Sequence, residues 1–466
     1  MDAIKRISDV VGALKAGKRA FRRQWTYEEL AHHQRDRLYA LISHASRNSP
    51  FYRDLYKGVR LDDGPALADL PVVDKTMMME NFDRFVTDPR LKLAELQDHI
   101  RGLKDDKYYL KEYRVLTTSG STGQQGVFVF NRPEWSTAIS TGLRTGSYAG
   151  MASPRFPRRW RFAAIGAGSP LHVTGRYYRC VDMGAHKTLR MTAMTPMEEM
   201  VAALNRFQPD FIFAYSSIAS LLAIEQLEGK LQIQPRAVTT NSEVRSEEME
   251  QSIEAAWGIT PFNTYGMTES GLVLANDCAH HKGLHVYGDL FLAESVDENN
   301  QPVAAGESGA KLLVTNLYNY TQPLIRYEVT DVVTFSGDRC PCGSPFRLIA
   351  NVGGRTDDIL TMPRRDGGEV PVHPHNLRSP IAEVTDIKQY QIIQEQDGLY
   401  VTLVLRKDAA SSDEVRQAVQ SRLEQKLSAL GAVCPVLHVN FVDHIERDQQ
   451  KMGKFRLIKC NIAKRH

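Results

Sequence analysis

Between about residues 110 and 265, short β-rich runs alternate with helical stretches, and this alternation constrains the fold more than any other sequence feature. Strands that are separated by helices usually pair in parallel, and the helices then cover the faces of the sheet. The pattern predicts a layered α/β domain with a mostly parallel sheet. The strand candidates are RFAAIG, DFIFAY and RAVTT, and the helix candidates are MEEMVAALNRF, SIASLLAIEQL and SEEMEQSIEAAWG.

The flanking sequence has other periodicities. Residues 1 to about 60 have helical spacing, which the Ser49-Pro50 step interrupts. From about 285 to 350 the pattern is all-β, and after Gly353-Gly354 a smaller α+β unit begins. We therefore predict a large N-terminal domain at 1–357, which includes a β-subdomain, and a small mobile C-terminal domain at 358–466.

Composition excludes several classes of protein. The chain has 466 residues, which is long for one domain, and its 42% hydrophobic and 24% charged residues are typical of globular proteins. A net charge of +3 is too small to indicate a nucleic-acid partner. No apolar run approaches the roughly 18–20 residues that span a bilayer, and the N-terminus has no secretory-type apolar stretch. We expect a cytoplasmic protein without a membrane span.

The strongest local motif is a run of small, hydroxylic and glycine residues: Thr117, Thr118, Ser119, Gly120, Ser121, Thr122 and Gly123. Such a loop can present backbone N–H groups and hydroxyls to an anion, because no large side chain blocks the approach. The alternative is a flexible surface linker. The run lies between the β-like YRVL and GVFVF, where a linker has no purpose, and this position favours phosphate binding.

Four further motifs are ordinary when each is taken alone. An aromatic residue before glycine can flank a purine, and a carboxylate four residues later could hold a divalent cation. The competing interpretations are structural: an isolated turn, a domain boundary or a solvated basic tail would produce the same residues without a binding site. The motifs are Tyr265-Gly266-Met267-Thr268-Glu269, Arg326 to Asp331, Gly354 to Asp358, and Lys451 to Arg456.

In this order and at these separations, the motifs resemble the adenylate-forming superfamily of acyl-CoA synthetases, adenylation domains and luciferases. The chain is most similar to the phenylacetate–coenzyme A ligase family and to relatives in capsule biosynthesis. The resemblance covers nearly the whole chain. Besides the motifs, it rests on Ser49 to Tyr52, Leu67 to Lys75, Ala214 to Ser217, Ser242-Glu243, Leu313 to Leu317 and Pro323 to Tyr327.

The resemblance implies a two-step reaction. A carboxylic acid, with an aromatic acid as the family's first candidate, would react with ATP to give an acyl-adenylate, and a thiol, most simply that of coenzyme A, would then take the acyl group. One alternative is an adenylating enzyme with another acceptor: a carrier-protein thiol, an amine, or nucleotidyl transfer. Another is a non-catalytic, zinc-stabilised nucleotide-binding relative.

The resemblance also implies residue roles. Thr117 to Gly123 would wrap the β- and γ-phosphates, although Gln124-Gln125-Gly126 supplies no lysine where many relatives have one. By the same family motifs, Thr268 would bond the α-phosphate and Glu269 would hold Mg²⁺. The adenine would be surrounded by Ser242, Glu243, Tyr265 and Gly266, and the ribose would be bound by Asp331 with Arg355 nearby. Lys454 would reach the α-phosphate, and Asp358 would be the hinge.

Cysteine spacing indicates a metal site. Cys278 with the following histidines gives C-x-x-H, and Cys340 with Cys342 gives C-x-C. Two short chelating pairs that are far apart in sequence are typical of a structural zinc ion that joins two loops. We predict Cys278, His281, Cys340 and Cys342 as ligands, with His280 and His285 as rivals for the histidine position. Reduced thiols on adjacent loops are the alternative.

Partners are less constrained by the sequence. The chemistry implies a small-molecule carboxylic acid, and an acyl carrier protein is one alternative acceptor. The cluster of Arg155, Arg158, Arg159 and Arg161 is either a solvated face or an attractor for coenzyme A phosphates or an acidic carrier. A homodimer is frequent among relatives, so the oligomeric state stays open.

Overall fold

The computed structural model describes residues 2–22, 25–61, 65–103, 107–118, 125–148, 159–167, 173–181, 186–355, 359–407, 409–448 and 453–462. The helices are α1 (Asp2–Arg22), α2 (Tyr27–Asn48), α3 (Pro50–Leu55), α4 (Lys75–Glu80), α5 (Phe82–Phe85), α6 (Leu93–Arg101), α7 (Arg132–Tyr148), α8 (Val173–Val181), α9 (Met197–Phe207), α10 (Ser216–Leu227), α11 (Glu247–Trp257), α12 (Pro374–Ala382) and α13 (Ser412–Ala429), with a 3-10 turn at Leu67–Asp69.

The strands complete the architecture. They are β1 (Tyr113–Thr117), β2 (Val127–Asn131), β3 (Arg161–Gly166), β4 (Lys187–Thr192), β5 (Phe211–Tyr215), β6 (Ala237–Asn241), β7 (Phe262–Tyr265), β8 (Ala275–Asn276), β9 (Leu284–Val286), β10 (Phe291–Val296), β11 (Lys311–Asn316), β12 (Tyr327–Val329), β13 (Asp331–Phe335), β14 (Leu348–Arg355), β15 (Leu360–Pro363), β16 (Glu369–Val372), β17 (Ile387–Glu395), β18 (Gly398–Leu405), β19 (Leu437–Phe441) and β20 (Ile458–Cys460).

A nine-stranded sheet forms the centre of the large N-terminal part, with the strand order β13-β14-β9-β8-β7-β6-β5-β3-β4. The block from β4 to β7 is parallel, whereas the strands from β7 to β13 pair antiparallel. This arrangement confirms the predicted α/β class. The prediction of a mostly parallel sheet holds only for the block in which helices alternate with strands, because the later strands are joined by loops.

Helices α9, α10 and α11 cover the parallel block because each has an apolar side. Met200 and Leu204 of α9 are buried against a cluster that includes Ile212 of β5 and Val238 of β6. Helix α10 is buried over nearly its whole length, including Ser216 and Ser217 at its start. The six segments predicted from periodicity in this region are all observed, with boundaries that differ by at most one or two residues.

The N-terminal region is helical, as the sequence predicts, but it is divided. Ser49 ends α2 and caps α3, because its hydroxyl accepts the backbone N–H of Tyr52. The hydroxyl of Tyr52 in turn donates to the carbonyl of Pro323 at 2.8 Å. This contact ties the N-terminal helices to the β-subdomain, whose strands β10, β11 and β12 form an antiparallel sheet. Helix α1 packs along α7.

The residues from Leu360 onward form a separate hydrophobic core, and we call the described part of this segment the C-terminal unit. Its four-stranded sheet has the order β19-β18-β17-β20, and α12 and α13 pack together. Val419, Leu423 and Leu427 of α13 are fully buried in this core. The turn at Arg364 to Gly368 joins β15 and β16, which pair antiparallel. The predicted boundary at 357/358 lies outside the described residues.

Membrane-spanning segments were sought along the described ranges. None of the helices there combines the length and the apolar composition that crossing a bilayer requires.

A buried ion pair anchors α7 to the sheet. The guanidinium of Arg144 donates to both carboxylate oxygens of Asp289, at 2.8 and 2.7 Å. Both side chains are buried, and the guanidinium also lies 4.8 Å from the ring centre of Tyr287. Burial opposes the charge of Arg144, but Asp289 raises the pKa of the guanidinium overall. Each charge therefore depends on the other.

Replacing Arg144 with Met should destabilise the protein by about 3–5 kcal/mol, because Asp289 would be left as an uncompensated buried carboxylate. Urea unfolding followed by circular dichroism measures this change. Arg422→Met is the matched control, because Arg422 pairs with Glu383 on the surface and should cost under about 1 kcal/mol. Equal destabilisation of the two variants would show that burial does not govern the Arg144 contact.

Candidate functional site

One cavity of about 900 Å³ lies where the parallel strands end and the C-terminal unit approaches. It is lined by most of the described residues that the sequence nominated from separate motifs. The chain folds them together although more than three hundred positions separate the first from the last. They are Thr118, Ser242, Glu243, Tyr265, Gly266, Thr268, Glu269, Asp331 and Lys454.

The end of β6 forms one wall of this cavity. The chain turns sharply at Ser242, whose φ of 64° lies in the left-handed region that non-glycine residues rarely adopt. The hydroxyl of Ser242 donates to the side-chain oxygen of Asn241 at 2.7 Å, which supports the turn. A strained residue at the lip of a cavity is typical of a functional site.

The end of β7 supplies a second wall. The hydroxyl of Tyr265 donates to the carboxylate of Asp331 at 2.6 Å, so two predicted nucleotide contacts are joined directly. A side chain at position 266 would put its Cβ 2.1 Å from the carbonyl oxygen of Leu272, which explains the glycine. The side chains of Thr268 and Glu269 are buried beside this turn. Burial and the carboxylate of Glu269 both raise the pKa of Tyr327.

The hydroxyl-rich loop is only partly described. The β-like runs that flank the loop are strands β1 and β2, and they pair antiparallel. The hydroxyl of Thr118 accepts the backbone N–H of Gly126 at 2.9 Å. Thr117 is buried at the end of β1, away from the cavity lining. Residues Ser119 to Gly123 lie outside the described residues, so their assignment to phosphate remains a prediction.

The remaining predicted positions are spread over the boundary with the C-terminal unit. Lys454 lines the cavity together with Phe455 and Arg456. Arg355 is the partner of Asp331 in the ladder between β13 and β14. Its side chain lies outside the described part of the chain, and its place near the ribose remains a prediction. Asp358 also lies outside the described residues, and its hinge role remains a prediction.

Glu243 has partners that the sequence did not indicate. One carboxylate oxygen accepts the backbone N–H of Phe455 at 2.6 Å, and the other accepts the N–H of Ser217 at 2.9 Å. Its side chain is 5% exposed. Glu243 therefore lines the cavity but binds protein groups through both oxygens, and a contact with adenine remains a prediction.

Sequence reasoning missed several basic residues that line the cavity, among them Lys75 and Arg378. Lys75 follows Asp74, whose carboxylate caps α4 by accepting the N–H of Met77 at 2.7 Å. Arg378 enters the cavity from α12 of the C-terminal unit. Lys75 belongs to a segment that was used only to establish the resemblance, and nothing in the sequence around Arg378 marks it as part of a site.

Four potential metal ligands converge behind the cavity. The ligand atoms of Cys278, His285, Cys340 and Cys342 all lie within 4.8 Å of one another. The sulfurs of Cys278 and Cys340 are 3.6 Å apart, and the sulfur of Cys342 is 3.5 Å from the Nε2 atom of His285. Tetrahedral zinc with bonds of about 2.3 Å to sulfur requires sulfur separations of about 3.8 Å. The cluster fits a zinc ion.

The histidine in this cluster is His285 and not the predicted His281. His281 has a positive φ of 49°, and its Nδ1 atom pairs with the carboxylate of Asp277 at 2.6 Å. His285 takes this place because it lies on β9, next to the loop that carries Cys342. Burial lowers the pKa of His285, which favours the neutral imidazole that a metal requires.

The charge state of the cysteine cluster depends on whether a cation is bound. Burial raises the pKa of Cys278 to about 12, and burial likewise raises that of Cys342. Without a cation these thiols would stay protonated at neutral pH. A metal ion would supply the charge that thiolates need in this environment.

Comparison with known proteins places the chain in context. Residues 365–461 match the model of the CapK C-terminal domain. The chain is 25% identical over 388 residues to a phenylacetate–coenzyme A ligase of Thermus thermophilus. The matched region covers 80% of this chain and 79% of the relative. It is 22% identical over 433 residues to the protein CapK of Staphylococcus aureus, with coverages of 88% and 85%.

Solved structures agree on the fold. A 2-hydroxyisobutyryl-CoA ligase in the postadenylation state, in complex with an acyl-AMP, superposes with a TM-score of 0.72 at 19% identity, over 93% of this chain and 90% of that one. The same ligase gives 0.58 in an open conformation and 0.57 in the thioesterification state. Taken together, the motifs, the relatives and the match of residues 365–461 support a place for this chain in the phenylacetate–coenzyme A ligase-like family of adenylate-forming enzymes.

Proposed function

We propose that this protein is an AMP-forming acid–thiol ligase, which activates a carboxylic acid with ATP and transfers the acyl group to coenzyme A. The observation that carries the proposal is the convergence of Tyr265, Glu269, Asp331 and Lys454 on one cavity. These side chains come from separate strands and from the C-terminal unit, and they are of the types that bind a nucleoside triphosphate.

In the first step, a carboxylate oxygen of the acid attacks the α-phosphorus of ATP, and pyrophosphate leaves with the electron pair of the broken bond. Negative charge is concentrated around that phosphorus, so preorganised cations and N–H donors lower the barrier. Lys454 lines the same cavity and would face this charge. Asp331 would hold the ribose hydroxyls, with Tyr265 fixing its carboxylate. Glu269 would hold Mg²⁺, which supplies neutralising charge to the phosphates when bound.

In the second step, the sulfur of a thiolate attacks the acyl carbonyl carbon, and AMP leaves. The side chains that bind the nucleotide need not change, because AMP stays until the acyl group departs. Lys454 has no role in this step if its charge serves only the α-phosphate during adenylation. The better superposition on a postadenylation state than on a thioesterification state supports an arrangement suited to the first step.

A smaller recess beside the cavity is a candidate site for the acyl chain. It shares Phe213, Leu272 and Val273 with the nucleotide cavity, and Tyr177 and Tyr178 form other walls. Its free volume is about 40 Å³, whereas a cavity of about 150 Å³ accommodates benzene. An aromatic acid would therefore require one of these side chains to move, and a small apolar acid would need less adjustment.

An adenylating enzyme with another acceptor would use the same first step. ATP–pyrophosphate exchange over a panel of aromatic and short aliphatic acids tests adenylation, and product analysis with and without coenzyme A identifies the acceptor. Exchange that depends on an acid, followed by thioester formation, supports the proposal. Exchange without any thioester would leave a carrier protein or an amine as the acceptor, and absence of exchange with every acid would contradict adenylation.

We also propose that zinc occupies the cluster of Cys278, His285, Cys340 and Cys342. With four protein ligands the ion has no open position, so its role would be structural. It would join the loop after β8 to the loop between β13 and β14. These loops flank the strands that carry the nucleotide contacts.

Replacing Lys454 with Ala should slow adenylate formation about 100-fold, because one preorganised cation is lost at the reacting phosphate. Thioester formation from a supplied acyl-adenylate should keep its rate. Pyrophosphate release and thioester appearance measure the two steps separately. Lys459→Ala is the control, because this residue follows the cavity-lining segment on β20. An equal loss in both steps would contradict the assigned role.

Replacing Asp331 with Asn should raise the KM for ATP about 10- to 100-fold, because a charged acceptor for the ribose is lost. The KM for the acid should change little. Steady-state kinetics with each substrate varied in turn measures both constants. Asp338→Asn removes an exposed acid from the same region and should leave both constants unchanged. A rise confined to the acid's KM would place Asp331 at the acyl site.

Replacing His285 with Ala should lower the zinc content of the purified protein from about one ion per chain, because one of four ligands is lost. Replacing His281 with Ala should leave the zinc content unchanged, because that ring pairs with Asp277. Elemental analysis measures the metal in both variants. Loss of zinc from the His281 variant alone would favour the ligand set expected from sequence.

A further inference from the structure

Among the described residues, two charged contacts join the C-terminal unit to the large N-terminal part, one near each end of α10. One lies at the end of α10, where Lys388 of β17 reaches Glu225. The other lies at its start, where Arg447 and the segment 453–455 reach Ser217 and Glu243. The side chains in both contacts have no role in the predicted binding of the phosphates or the ribose.

The first contact is a shared ion pair. The ammonium of Lys388 donates to one oxygen of Glu225 at 2.9 Å and lies 3.6 Å from an oxygen of Glu228. The other oxygen of Glu225 accepts from Lys230 at 2.9 Å. The side chains of Lys388 and Glu225 are 18% and 8% exposed. Burial would raise the pKa of Glu225, but hydrogen bonds from Lys230 and Lys388 hold it below its ordinary value.

The second contact fixes the backbone on both sides of Lys454. Arg447 donates to the carbonyl of Gly453 at 3.0 Å and to the hydroxyl of Ser217 at 2.9 Å. Glu243 accepts the N–H of Phe455 and lies 3.7 Å from the guanidinium of Arg447. Because the residues before and after Lys454 are both held, the lysine stays at the cavity only while this contact persists.

Gly453 allows this close approach. Its φ of 76° is in the left-handed region, and a Cβ there would lie 2.9 Å from the Cβ of Ala193. The loop is thus pressed against the turn after β4. Lys388 and Phe455 belong to the C-terminal unit, whereas Glu225 and Glu243 belong to the large N-terminal part. A rigid-body rotation of the C-terminal unit would therefore break both contacts at the same time.

We propose that Lys388 with Glu225, and Arg447 with Glu243, form a two-point latch that holds the C-terminal unit in the arrangement that presents Lys454 to the cavity. The latch residues are positioning residues, since they act on Lys454 rather than on the substrate. The inference rests on the proposed function for its kinetic consequence. Its structural consequence, which is a docked unit that undocks when the latch is broken, does not depend on any reaction.

Breaking the latch shifts a population rather than removing a reacting group. A contact that exists in only one of two arrangements favours that arrangement by its full interaction free energy. Its loss lowers the fraction of molecules in which Lys454 faces ATP, and it leaves the nucleotide contacts on the large N-terminal part intact. Adenylation should therefore slow through kcat, with little change in the KM for ATP.

The test compares Lys388→Met, Lys388→Arg and Lys57→Met in the full-length protein. Lys57 forms an exposed ion pair with Asp54 that is remote from the latch, and it controls for loss of a surface charge. Hydrogen exchange followed by mass spectrometry reports on residues 216–228 and 453–460. Adenylation and thioester formation from supplied acyl-adenylate are measured on the same samples.

In the Lys388→Met variant, backbone amides of both segments should exchange hydrogen faster, and adenylation should be about 3- to 10-fold slower. Thioester formation from supplied acyl-adenylate should be unchanged or faster. Lys388→Arg should retain both properties, because the ion pair survives. Combining Lys388→Met with Arg447→Met should reduce the protection of both segments against hydrogen exchange further. Unchanged exchange in both segments of Lys388→Met would overturn the latch. If no acid is adenylated, the exchange result still decides the latch, and only the proposed function fails.

Discussion

The carboxyl ends of β5, β6 and β7 lie side by side at one edge of the nine-stranded sheet, and the functional cavity depends on this arrangement. Parallel strands deliver the residues that follow them to the same edge. Ser216 follows β5, Ser242 follows β6 and Gly266 follows β7. The turns after β6 and β7 therefore both line the cavity, whereas Ser216 begins helix α10.

Buried charge determines how the rest of the molecule is tied to this edge. Arg144 and Asp289 join α7 to the sheet, and Arg326 donates to the carbonyls of Ala68 and Leu70 and to Glu294. Arg326 thus fastens the N-terminal segment to the β-subdomain, although it belongs to the same motif as Asp331. Arg326 lies just before β12 with a positive φ of 47°, so its side chain does not follow the alternation of the strands that come after it.

The two parts of the molecule meet through polar groups rather than through a continuous apolar core. The C-terminal unit has its own cluster of buried side chains, and the described contacts across the junction include the ion pair of Lys388 and the hydrogen bonds of Glu243. Charged contacts of this kind can be remade elsewhere at small cost, whereas a shared apolar core cannot. The junction is therefore suited to a unit that changes its position during a two-step reaction.

Local patterns were sufficient for the elements and for most of the residues around the cavity. Hydrophobic periodicity depends on neighbours a few positions apart, so it predicted β3, β5, β6 and α9 to α11, and the family motifs nominated Tyr265, Glu269, Asp331 and Lys454. Tertiary structure alone decided which of several equivalent groups face one another. The sequence favoured His281 as the histidine ligand and offered His285 only as a rival, but the pairing of β9 with β14 brings His285 to the cysteines. Glu243 met Phe455, and Lys388 met Glu225, because the two units dock, and no short-range pattern encodes a contact between side chains more than one hundred and sixty positions apart.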